Sequence, residues 1–69
     1  MGFRELVLEA ISMKNAGKPR TEIHRHIRRG AILLGQCAEH GDDSNFEIRR
    51  VETGEIIRFD DRGYSYRAQ

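Results

Sequence analysis

Apolar residues recur along the first dozen positions at i, i+3, i+4, i+7 and i+8. Phe3, Leu6, Val7, Ala10 and Ile11 fall on one side, with Arg4, Glu5, Glu9 and Lys14 mostly elsewhere. This is the period of an amphipathic helix. Gly17 can supply a left-handed cap and Pro19 follows it closely, so the helix is predicted to stop near Asn15 or Ala16. A second helix is predicted to start at Thr21 as N-cap, with Glu22 complementing its positive end and Ile23 and Ile27 forming an inward i, i+4 pair. Gly30 is expected to break or turn the chain.

Residues Ala31 to His40 suit either a buried helix or a short strand, because a short apolar run, Ala31 to Leu34, lies between Gly30 and Gly35. Read as a third helix, the stretch places Leu34, Cys37 and Ala38 on one face. His40 to Asn45 follows as a polar connector of turn-forming residues. Beyond it the period shortens to two. Phe46 and Ile48 oppose Glu47 and Arg49, Ile57 and Phe59 oppose Ile56 and Arg58, and Tyr64 and Tyr66 flank Ser65. Thr53-Gly54 and Arg62-Gly63 put glycines where hairpin loops need them.

The pattern therefore predicts one α+β domain over 1–69, with a helical part over 1–40 and a β-meander over 46–67. Two or three short N-terminal helices pack on a C-terminal three-stranded antiparallel β-meander. Its strands are expected near 46–51, 55–60 and 63–67, and its core is expected to include Leu6, Val7, Ile11, Ile27, Leu34, Ile48, Ile57 and Phe59.

Size changes this picture in one respect. A chain of 69 residues supports only a small core, and its single cysteine, Cys37, excludes an internal disulfide. A homodimer or a protein partner is the remaining support. The longest apolar run is far below the roughly 18 to 20 residues that span a bilayer, so no membrane is expected. The first dozen residues carry Arg4, Glu5 and Glu9 rather than a cleavable apolar core, and Leu6 occupies the position where a myristoylation signal has Ser or Thr. With one thiol, these features point to the cytoplasm.

Charge separates the two halves. The chain has a formal net charge of +1, yet residues 1–40 hold seven Lys or Arg against four Asp or Glu, and residues 41–69 hold five against seven. The excess is concentrated in Lys14, Lys18, Arg20, Arg25, Arg28 and Arg29, with Glu22 as the only acid among them. A local cationic surface of this kind suits phosphates, because neutralising a nucleic-acid backbone releases condensed counterions.

If both later helices form, the spacing of Ile23, Ile27, Leu34 and Cys37 resembles the buried positions of a helix-turn-helix unit, and the arginine-bearing hairpin after it resembles the wing of a winged helix-turn-helix DNA-binding domain. The chain departs from that pattern at His24, where a small residue is usual, and at Gly30, where the turn glycine is displaced. The resemblance implies a winged-helix-like fold, a third helix in the major groove with Gln36 among its polar readers, and a role in transcription regulation. The arginines lie elsewhere, so phosphate contacts by Lys18, Arg20, Arg25, Arg28, Arg29 and Arg49 are expected to outweigh base reading by Gln36.

Other chemistry is sparse. Cys37 and His40 lack a second ligand pair for a metal, and His24 and His26 diverge on a helix. No oxyanion loop accompanies Cys37, and Asp60-Asp61 reads as turn chemistry. The expectation is a non-enzymatic protein without metal or cofactor that binds nucleic acid, duplex DNA before RNA, as a phage, plasmid or bacterial regulator. The alternative is a protein-interaction module, an inhibitor or accessory subunit that uses the hairpin or a sheet edge. The placement of Asp42, Asp43, Glu47, Glu52 and Glu55 decides between them, since acids that surround the arginines would disfavour phosphate.

Overall fold

The N-terminal apolar stripe forms helix α1, Phe3–Asn15, in the computed structural model, which describes residues 2–68. Phe3, Leu6, Val7 and Ala10 are buried beneath it. Ile11, expected in the core, is 38% exposed because it lies at the border of that stripe. The C-terminus closes as predicted: Lys18 N–H donates to Met13 O and Gly17 N–H to Lys14 O, each at 3.0 Å, the paired bonds of a Schellman ending.

Helix α2, Arg20–Leu34, starts two residues earlier and ends later than the sequence suggests. Pro19, not Thr21, is the N-cap, and its carbonyl accepts the N–H of Glu22 at 3.0 Å. Gly30 does not break the helix. It is the point where the two helices press together, and a Cβ there would stand 2.5 Å from Leu6 Cδ2. The glycine thus serves close packing, which sequence spacing alone cannot distinguish from a break.

The third helix does not form. Ala31 to Leu34 are the last turn of α2, Gly35 turns the chain with φ of 150°, and Cys37–Asp42 becomes strand β1. The connector expected at His40 to Asn45 is instead the end of a hairpin. Asp42 Oδ1 accepts the N–H groups of Ser44 and Asn45 at 2.9 and 3.1 Å, and Gly41 takes φ of 98°, where a Cβ would lie 2.1 Å from Asn45 O. Strands β2, Asn45–Arg50, β3, Ile56–Asp60, and β4, Gly63–Arg67, follow the predicted meander closely. The sheet therefore has four antiparallel strands in the order β1-β2-β3-β4, not three.

Register sets the core. Phe46, Phe59 and Tyr64 form one cross-strand row and Ile48, Ile57 and Tyr66 the next, all on the face the helices cover. Phe46, Ile48 and Ile57 are buried, as are Ile23, Ile27 and Ala31 from α2, whereas Leu34 and Phe59, expected as core, are half-buried against it. Full burial of a large aliphatic or aromatic side chain contributes about 1.5–3 kcal/mol. Among the described residues one buried side chain is polar. His24 is 2% exposed, edge-on to Phe46 at 4.5 Å and to Phe59 at 4.8 Å between ring centres, and its Nε2 has no hydrogen-bond partner.

Arg50 fastens the far end. Its Nη2 donates to Leu34 O at 2.8 Å, satisfying a carbonyl in the last turn of α2, and its Nη1 lies 3.6 Å from Glu55. Glu55 also accepts the Tyr66 hydroxyl at 2.7 Å. That bond and one from Thr53 hold the Glu55 carboxyl below its ordinary range, and it raises the Tyr66 phenol in turn.

Candidate nucleic-acid interface

The last turn of α1, the turn that follows and helix α2 carry the cations that the charge pattern singled out. Arg25 and Arg29, one turn apart, project from the same exposed side of α2. Among the described residues neither has a carboxylate within 4 Å, and the same holds for Lys14, Lys18 and Arg20. Arg28 is different. Its Nε binds Glu39 Oε1 at 2.7 Å, its Nη2 lies 3.7 Å from Asp43 Oδ1, and its guanidinium stands 5.3 Å from the centre of the Phe46 ring. Arg28 thus joins α2 to the β1–β2 hairpin and is withdrawn from the free set.

Two expected contacts lie elsewhere. Gln36 sits between α2 and β1, not on a helix, and its carbonyl accepts the Val51 N–H at 2.9 Å. Arg49 is exposed on the uncovered face of the sheet, where register places it near Arg67 across Ile56, with Arg58 in the next row. It is separated from Arg25 and Arg29 by the thickness of the domain. A single flat footprint therefore cannot take in the whole expected set.

The remaining cations divide between two depressions. Between the helices, a shallow groove of about 450 Å³ runs past Leu6, Met13, Arg25, Arg29 and Leu33. The Glu9 carboxylate meets His26 Nε2 at 2.5 Å along its wall. At the end of the molecule where the α1–α2 turn meets the β3–β4 hairpin, a second hollow of about 510 Å³ gathers Lys14, Lys18 and Arg20 against Phe59 and Tyr64. Arg20 lies over the Phe59 ring, 5.8 Å from its centre. Burial raises the Tyr64 phenol, with Arg20 opposing.

Sequence reasoning counted Lys14 in the basic segment and read Phe59 and Tyr64 first as the sheet's core face, and it did not bring the three together in one site. Alternation identified the aromatics as sheet residues, but only the docking of α1 beside β4 brings a lysine onto them. Cys37 lies half-buried with its thiol directed at Ala31 O, and burial pushes its pKa up, which suits an inert thiol. Among the described residues no three of His, Cys, Asp and Glu cluster as metal ligands would, and no helix is long and apolar enough to cross a membrane. Comparison with known protein families, curated proteins and solved structures finds no match, so the site is interpreted from its own chemistry.

Proposed function

We propose that this is a non-enzymatic nucleic-acid-binding protein of the cytoplasm that docks on phosphates through α2 and the turn before it. One observation carries the reading: five of the six cations between Lys14 and Arg29 are exposed and free of carboxylate partners among the described residues. Of the acids that would have argued against it, only Asp43 approaches the segment, and it approaches Arg28 alone. Each exposed cation on a phosphate releases counterion, so affinity should depend steeply on salt and little on sequence. The helix-turn-helix resemblance needed a third helix, and Cys37–Asp42 is strand β1, so the phosphate reading rests on the cations and not on that resemblance.

A second reading rests on Ile32 and Leu33, which are 70% and 87% exposed near Arg29. Large apolar side chains beside free arginines suit a protein partner. Fluorescence anisotropy against duplex DNA and RNA at two salt concentrations separates the two. On the phosphate reading, Arg25→Ala with Arg29→Ala weakens binding to unrelated sequences alike and flattens the salt slope by about 0.9 logarithmic units per lost contact. No affinity at low ionic strength would leave the protein-partner reading.

A further inference from the structure

The hollow at the helix-hairpin end differs from the open face of α2 because it has an apolar floor. Ile23, Phe59 and Tyr64 form that floor, and Lys14, Lys18 and Arg20 stand around it from two helices and their turn. Gly63 is buried beside it with φ of 105°, and the position of a Cβ there would be in ordinary contact with Lys14 Nζ at 3.7 Å, so the lysine reaches over the hairpin. The volume, about 510 Å³, lies within the usual range of small-ligand sites. Cations grouped over half-buried aromatic rings combine what a nucleotide offers, a phosphate and a flat base.

The opposite wall is acidic. Asp60 is engaged, accepting the Arg62 N–H at 2.9 Å and lying 3.7 Å from Arg58, and Asp61 is exposed beside it. These carboxylates repel a second phosphate on the hairpin side. A duplex is a poor fit to the aromatic floor, because its bases are paired and stacked out of reach.

Resting on the phosphate reading above, we infer that this hollow holds one unpaired nucleotide of a nucleic-acid strand, its phosphate among Lys14, Lys18 and Arg20 and its base against Tyr64 and Phe59. The α2 cations Arg25 and Arg29 then hold the flanking backbone. The protein is thus a binder of single strands or frayed ends.

The test uses the full chain and three probes: a short single strand, the duplex of the same sequence and inorganic phosphate. Anisotropy or competition should give the single strand about tenfold tighter binding than the duplex, since stacking one base on an aromatic side chain is worth about that factor or more. The ring resonances of Phe59 and Tyr64 should shift with the strand and not with phosphate alone. Lys14→Ala with Lys18→Ala, both at exposed positions, should remove most of the preference while leaving the thermal midpoint in place. Tyr64→Leu should do the same, and the lysine pair covers the case in which that variant fails to fold.

Equal affinity for strand and duplex, with unmoved ring signals but continued sensitivity to Arg25→Ala and Arg29→Ala, overturns the hollow and leaves the phosphate reading intact. Ring shifts produced equally by inorganic phosphate overturn the base contact. Absence of binding to every nucleic acid overturns both.

Discussion

Replacing His24 tests the least expected feature of the core. The ring is buried among Phe46, Phe59 and Tyr64 with Nε2 unpartnered, and its pKa is lowered from 6.5, first by burial and then by Arg28. Arg20 adds to the depression, while Asp43 and Glu39 on the β1–β2 hairpin oppose it. A folded-state pKa below the unfolded one means that the neutral ring favours folding above the unfolded pKa. That stability is lost as pH falls from there toward the folded value. Acidification from about pH 7.5 to about pH 5.5, across the unfolded pKa, costs at most about 1.4 kcal/mol through this one proton. In a domain of this size that limits the fall in thermal midpoint to about 5–10 °C. Glu55, held below its ordinary 4.5, begins to lose its own contribution only at lower pH.

His24→Phe keeps an aromatic ring against Phe46 and Phe59 and removes the proton site. It also removes an unpartnered nitrogen, a gain of about 1 kcal/mol offset by the larger ring. The pH slope is therefore the cleaner readout than the midpoint at neutral pH. Thermal unfolding by circular dichroism across that window should show the parent losing stability and His24→Phe nearly flat. Equal losses in the two proteins would refute the assignment of the slope to His24.

Gly30→Ala should lower stability although alanine is the better helix former by about 1 kcal/mol, because its Cβ would collide with buried Leu6 and overpacking costs about 1–3 kcal/mol. Urea unfolding checks this, and a variant more stable than the parent would show that the helices can separate without loss. Arg28→Ala should cost about 0.5–1 kcal/mol, discounted for the partial exposure of its pair with Glu39, and should leave nucleic-acid affinity nearly unchanged. Loss of affinity equal to that of Arg25→Ala, measured by anisotropy, would place Arg28 in the interface after all.

Local periodicity by itself determined α1, the three strands of the meander and the α+β class, because each of those segments repeats its burial period several times and stands between turn residues. It also located the basic segment, since charge can be counted without coordinates. Tertiary packing decided the rest. Gly30 looks like a helix breaker in one dimension and is a contact point in three, because Leu6 fills the space where its side chain would be. Cys37 to Asp42 carries no strong alternation and became a strand because β2 offered it a ladder, from Cys37↔Arg50 to Asp42↔Asn45. His24 looked like one more polar residue in a basic run, and the helix turned it under the sheet aromatics. Arg28 and Arg25 are equivalent as letters, and only the return of the β1–β2 hairpin gave Glu39 and Asp43 to one and left the other free. The hollow is the clearest case. Lys14 and Tyr64 are far apart in sequence, and they share a site because α1 docks against β4.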